Sequence, residues 1–324
     1  MNPLRRLAKS LADAALVAPA RRIRPLRKAV EYLERQTRPP APIHAALPGH
    51  ANYAWLPGHD VAYAARYYAA MRELFIGAPD APKPDAARRR TLVERFERID
   101  AEMDVKSSPV EGLYLAEAAL SLACEGDLVE CGCYTGGSTA KLSIVAALTG
   151  RRLLAFDSFE GLPAPRPEEQ RDLHVRRGAR ADHLWAAGEY TGTVEAVRAN
   201  VARYGEIGCT SFVKGWFSDT LAPGLPRAVA LAFVDVDLAS SAEECLRAIW
   251  PRLATGGVFF SHDAAYVKVL QALMDRTLWR DVLKEHPPVL FGAGFGLGDA
   301  AAHLAFAIKG DVDAEYIKSL TLNK

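Results

Sequence analysis

The sequence predicts an α/β fold: a mostly parallel sheet with helices on both faces, ending in an antiparallel hairpin and preceded by a helical extension. Three observations predict it. From about residue 108, short apolar runs alternate with stretches whose apolar residues recur at helical spacing. Each apolar run ends in polar or charged residues, as parallel strands do where they reach a ligand. The chain has 324 residues, 50% hydrophobic and 24% charged, enough for a sizeable core and too apolar for disorder.

The first 38 residues hold ten basic and three acidic residues, a net +7 that leaves −6 for the rest and +1 overall. That near balance argues against a nucleic-acid partner. Leu4, Leu7 and Leu11 share one helical face with Arg5, Arg6 and Lys9 off it, which reads as a helix packed on its own or a partner subunit. Asp13 interrupts what would be a signal peptide's apolar core, and no apolar run approaches the roughly 20 residues of a membrane span. Five scattered cysteines make neither a disulfide framework nor a zinc spacing. A cytoplasmic protein, without an integral membrane segment and assembled as a homo-oligomer, is expected.

Residues 39–60 are rich in Pro and Gly and read as a turn-rich connection; Tyr53, Trp55, Tyr63, Tyr67 and Tyr68 cluster there and are expected to pack against a core. Residues 79–84 form an exposed link, and a charged helix follows over 86–103. The extension is placed at 1–106 and the α/β domain at 107–324. Strands are predicted at 126–131, 152–157, 210–215, 228–235 and 256–263. Helices between them are marked by Leu142, Val145 and Ala146; by Val194, Val197 and Val201; by Leu246, Ile249, Trp250 and Leu253; and by Val269, Leu270, Leu273 and Met274. The polar crossover 158–192 reads as a lid whose Arg171, Arg176, Arg177 and Arg180 would suit an anionic or sugar-containing acceptor. FGAGFGLG at 291–298 is expected to be a flexible turn bordering the pocket, ahead of the terminal hairpin.

The ends of the strands carry the chemistry. The first leads through Glu130-Cys131-Gly132-Cys133-Tyr134-Thr135-Gly136-Gly137-Ser138 into a helix, where glycines let the backbone bend and approach a ligand. Asp157 ends the second strand, 25 residues after Gly132, where a carboxylate can accept both hydroxyls of a ribose. Together these indicate a nucleoside cofactor. Gly132, Gly136 and Gly137 do not match the dinucleotide spacing G-x-G-x-x-G, which disfavours a nicotinamide-dependent oxidoreductase, and there is no P-loop.

VECGCYTGGST, FDSFEGLP at 156–163, VKGWFSDTL at 213–221 and VDVDLASSAEECLRAIWPRLATGGVFFSHD at 234–263 lie within a stretch, about 107–275, that resembles class I S-adenosylmethionine-dependent methyltransferases. Within them it is similar to the macrocin-type sugar O-methyltransferases. The resemblance implies a Rossmann-like sheet and S-adenosyl-L-methionine as cofactor. Glu130, Gly132, Tyr134 and Ser138 would line its methionine part, Asp157 and Ser158 its ribose, and Gly215, Trp216 and Phe217 its adenine. It also implies transfer to a hydroxyl of a small-molecule acceptor, a sugar or glycosylated metabolite. The alternative in another class is a binding protein that keeps the cofactor pocket without catalysis.

In the family a magnesium ion commonly sits at an aspartate equivalent to Asp235 and an acidic pair equivalent to His262 and Asp263. Here His262 replaces the first member of that pair, and DLASSA replaces the usual DLYEST. An imidazole suits later divalent metals better than magnesium. Either Asp235, His262 and Asp263 hold a different or weaker metal, or His262 is the general base. Asp237 is expected to cap the next helix.

Overall fold

The computed structural model describes residues 58–77, 86–175, 178–297 and 302–310. Six strands form the sheet: β1 (Asp127–Cys131), β2 (Leu153–Asp157), β5 (Thr210–Lys214), β6 (Val229–Val234), β7 (Leu253–Ser261) and β8 (Ala305–Ile308). Their order is β5-β2-β1-β6-β7-β8, parallel throughout except β8, which runs antiparallel to β7. The chain leaves β1 toward β2 and returns on its other side as β6, so the strand order reverses there, and such a reversal opens a crevice at the carboxyl ends. The loops after the two strands touch: a Cβ on Gly132, whose φ is +89°, would lie 1.8 Å from the carbonyl oxygen of Asp235. Only glycine fits.

All six residues of β6 are buried, as expected of a strand covered on both faces. Five helices cover one face: α1 (Gly58–Ile76), α2 (Ala86–Glu102), α3 (Pro109–Ser121), α4 (Gly137–Leu148) and α5 (Val194–Tyr204). Phe75, Phe96 and Ile99 of the extension share one core with Leu113, Ile144, Val201, Leu231 and Phe233. Two buried ion pairs, Arg89 with Glu117 and Asp100 with Lys141, tie α2 to α3 and α4. Helices α6 (Phe217–Gly224), α7 (Ala239–Ile249) and α8 (Val267–Leu273) cover the opposite face over Val129, Phe156, Val234, Trp250 and Phe259. No helix among the described residues is long and apolar enough to cross a membrane.

Tyr67 and Tyr68 are core residues, as their placement beside turns predicts. Leu4, Leu7, Leu11, the basic segment, Tyr53, Trp55, Arg176 and Arg177 lie outside the described residues. The expected antiparallel end of the sheet is β8, whose Phe306 also bridges Phe291. Two expectations change. Leu253 opens β7 instead of closing the preceding helix, because Pro251 in the 3₁₀ turn Trp250–Arg252 cannot continue it. The crossover contains a second small sheet, β3 (Arg171–His174) and β4 (Gly178–Leu184).

Candidate active site

A cavity of about 680 Å³ opens at the carboxyl ends of β1, β2, β6 and β7. Gly132, Tyr134, Ser138, Asp157, Ser158, Gly215, Trp216, Phe217, Asp235, His262 and Asp263 all line it. Glu130 does not. It lies fully buried in β1 near Ser138 and Thr139, and neither of its carboxylate oxygens has a hydrogen-bond partner among the described residues. Burial pushes its pKa up to about 8, against the opposing pull of the two nearby hydroxyls.

On the cofactor side, Asp157 is held by two main-chain amides. Cys133 N–H donates to Oδ2 at 2.6 Å and Phe159 N–H donates to Oδ1 at 2.6 Å. Each oxygen keeps capacity for a further donor. Burial raises the pKa of Asp157 in spite of these bonds. The Ser158 hydroxyl is engaged locally, donating to the Gly161 carbonyl at 2.8 Å and accepting from Glu160 N–H at 3.0 Å, so it shapes the turn below the rim. Trp216, 40% exposed, offers an uncovered ring face at the cavity edge. Tyr134 sits at φ +48° and donates its hydroxyl to Asp104 Oδ2 at 2.6 Å. The α2–α3 connection, Asp104 to Ser107, therefore forms part of the wall, a contribution with no motif in the sequence.

On the other side, His262 lies between carboxylates. Its Nδ1 is 3.1 Å from Asp235 Oδ1 and 3.7 Å from Asp263 Oδ1, and its Nε2 is 3.3 Å from Glu111 Oε2. Desolvation opposes a charged ring here, yet the surrounding carboxylates win, and its pKa lies well above the usual imidazole range. Asp263 Oδ2 accepts from Val236 N–H and Asp237 N–H, each at 2.8 Å, and thereby shapes the turn after β6. Glu111 went unnoticed in the sequence; its only signal is the capping pattern Ser108-x-x-Glu111.

Asp237 does not cap α7. Leu238 is the N-cap, and the amide that Asp237 would have bound goes instead to Glu169: Ser240 N–H donates to Oε1 at 2.5 Å and its hydroxyl to Oε2 at 3.0 Å. A residue 71 positions away has taken the capping role. Asp237 faces the cavity at φ +60°, and its carboxylate has no hydrogen bond or ion pair among the described residues. Burial and the neighbouring Asp263 and Asp235 carboxylates raise its pKa. Non-glycine residues in the left-handed region cost about 1 kcal/mol or more and persist where their surroundings impose them. Tyr134, Tyr190 and Asp237 are three such residues, and all three line this cavity.

The β3–β4 hairpin is its roof. Asp172 accepts from Lys268 N–H in the first turn of α8 through both oxygens, each at 3.1 Å, and Val175 N–H donates to the Ala265 carbonyl at 2.8 Å. His174, His183 and Trp185 from the roof meet Tyr266 and His303 in a wall of rings; Trp185 and Tyr266 lie 5.4 Å apart edge to face. Of the arginines expected there, Arg171 is on the exposed face of β3, Arg176 and Arg177 lie outside the described residues, as does the side chain of Arg180, and Arg166 is the arginine among the described lining residues. Among the described residues, 291–297 of the glycine-rich turn are not in the lining, and His303, beyond them, is.

Residues 114–286 match the family model described as macrocin-O-methyltransferase (TylF). A relative from Streptomyces olivaceus, 8-demethyl-8-(2,3-dimethoxy-alpha-L-rhamnosyl)-tetracenomycin-C 4'-O-methyltransferase, is 36% identical over 171 residues, 50% of this chain and 62% of the relative. Demethyldecarbamoylnovobiocin O-methyltransferase from Streptomyces niveus is 29% identical over 142 residues, 43% and 52% of the two chains. The alignments thus span less than two thirds of these relatives. Among solved structures, the O-methyltransferase NovP gives a TM-score of 0.48 at 18% identity, covering 76% of this chain and 99% of its own. With the family model matched over more than half its length, from within α3 to beyond α8, the chain belongs to the macrocin O-methyltransferase family.

Proposed function

We propose that this protein is an S-adenosyl-L-methionine-dependent O-methyltransferase acting on a sugar hydroxyl of a glycosylated small molecule. The observation that carries the reading is one cavity joining a cradle for a nucleoside, around Asp157 and Trp216, to the unpartnered carboxylate of Asp237 under a roof of rings. The cofactor supplies its methyl group as an electrophilic sulfonium. Asp157 accepts the ribose hydroxyls, Gly215 and Phe217 flank Trp216 against the adenine, and Gly132, Tyr134 and Ser138 border the methionine part. Glu130, below them, compensates the α-ammonium. Trp185 and Tyr266 present apolar ring faces suited to a sugar's C–H surface. Asp237 would take the proton of the acceptor hydroxyl as its oxygen displaces the sulfur from the methyl carbon. Most of the rate enhancement comes from holding oxygen and methyl in line. The relatives named as acting on rhamnosylated tetracenomycin and on a novobiocin precursor support this acceptor class.

Asp235, His262 and Asp263 each offer a ligand atom, and these atoms lie within 4.8 Å of one another. The mixed oxygen and nitrogen set fits a later first-row divalent ion better than magnesium, and such an ion would lower the pKa of the acceptor hydroxyl. Incubation with the cofactor and a panel of rhamnosylated glycosides, read by mass spectrometry, should give a singly methylated product. Chelation should abolish it, and manganese, cobalt or zinc should restore it at least as well as magnesium. No product from any glycoside would remove the activity; full turnover after chelation, with no metal by elemental analysis, would remove the metal alone.

Asp157→Ala should weaken binding of the demethylated cofactor product by roughly ten- to a hundredfold, the worth of a charge-assisted hydrogen bond. Because Asp157 also holds Cys133 and Phe159, calorimetry is paired with circular dichroism. Unchanged affinity in the folded variant would refute the ribose contact.

A further inference from the structure

The carboxylate opposite His262 belongs to α3, at the join between the helical extension and the sheet. Glu111 is completely buried and has three partners from three parts of the chain. Ser108 N–H donates to Oε2 at 2.9 Å, closing the capping box of α3. His303 N–H, just ahead of β8, donates to Oε1 at 2.6 Å. The remaining direction of Oε2 faces His262 Nε2 at 3.3 Å. A carboxylate gripped at both oxygens by main-chain amides cannot turn away, and it can only accept. Such an acceptor favours a hydrogen on the nitrogen that faces it.

We propose that Glu111 is a positioning residue of this site: it fixes the His262 ring through Nε2–H and so commits Nδ1 to the space shared with Asp235 and Asp263. A capping glutamate needs only an amide partner, and Glu111 already has two. The imidazole contact is therefore an additional role of the same side chain. The ring of His303, held by its own main chain on the same carboxylate, lies 5.6 Å from that of His262, so one buried group sets the position of two cavity-lining histidines. The arrangement is the one by which a buried acceptor selects the ring nitrogen that a histidine offers to a ligand.

Nitrogen NMR of the full-length protein labelled at its histidines tests this without an activity assay, with His262→Ala used to assign the ring signals. The expected wild-type spectrum has His262 Nε2 protonated, and added zinc moves the Nδ1 signal while Nε2 keeps its hydrogen. Glu111→Gln places an amide donor or a weaker acceptor against Nε2, so the ring should lose its single arrangement and zinc affinity should fall by roughly ten- to a hundredfold. A wild-type Nε2 without hydrogen, or a His262 spectrum unchanged in Glu111→Gln, would overturn the proposal; the first decides it even if the variant fails to fold. The kinetic arm rests on the methyl-transfer reading. Glu111→Gln should lower kcat in the wild-type background and hardly at all when His262 is already Ala, whereas a purely structural role would lower it in both.

Discussion

Asp237→Asn should lower kcat by about a hundred- to ten-thousandfold, the contribution of a positioned general base, while leaving affinity for the cofactor product within about twofold. The substitution suits the question because asparagine tolerates the left-handed backbone as readily as aspartate does, so the φ of +60° adds no new strain. It keeps the shape of the side chain and removes only its ability to take a proton. Asp263 continues to hold the turn, since its bonds are to main-chain amides that the substitution leaves alone. Single-turnover kinetics separates the chemical step from product release. A rate within threefold of wild type would exclude Asp237 and return the proton to Asp235, the other carboxylate within reach of the acceptor side.

Glu130 provides the second large effect, in stability before catalysis. Its carboxyl titrates near 4.5 in the unfolded chain and at about 8 in the fold. Between those values the native state holds a proton that the unfolded state has lost, so stability from this group is complete at low pH and declines as pH rises through 8. The bound on that decline is about 4 to 5 kcal/mol. Glu130→Gln should therefore unfold at nearly the same denaturant concentration from pH 5 to 8.5 and exceed wild type at the upper end. Cofactor binding reverses the sign for the wild type: an ammonium group near Glu130 favours the carboxylate, so binding at pH 7 should release a proton, detected by calorimetry in buffers of different ionisation enthalpy. A wild-type unfolding midpoint independent of pH across this range, with no proton released, would dismiss both expectations.

The sheet was legible because its signals are local. All five strands read from apolar runs appear within three residues of their predicted bounds, and the glycines after β1 announce the contact with the Asp235 carbonyl. Eleven of the twelve residues named for the site converge on the cavity for the same reason: strand ends of a parallel sheet share an edge. What could not be read depends on partners distant in sequence. Nothing near Asp237 tells that Glu169 will cap α7 in its place. Nothing near Glu111 places His303 and His262 against it, 192 and 151 residues on. The ring wall under the roof has no such local signal: Trp185 and Tyr266 lie 81 residues apart and meet only in the fold.

The anchoring of that roof bears on how acceptor preference changes within such a fold. Glu169 and Asp172 clasp the first turns of α7 and α8, so the hairpin is fastened at its base to the same helices that support the carboxylates below. Beyond the clasps, the described residues of the hairpin join the segment after β7 through the Val175 amide and the bridge between His174 and Tyr266. Their length and side chains can vary while the floor stays in register. A new acceptor is thus accommodated by exchanging the span between two fixed points, much as a bridge deck is replaced between standing piers.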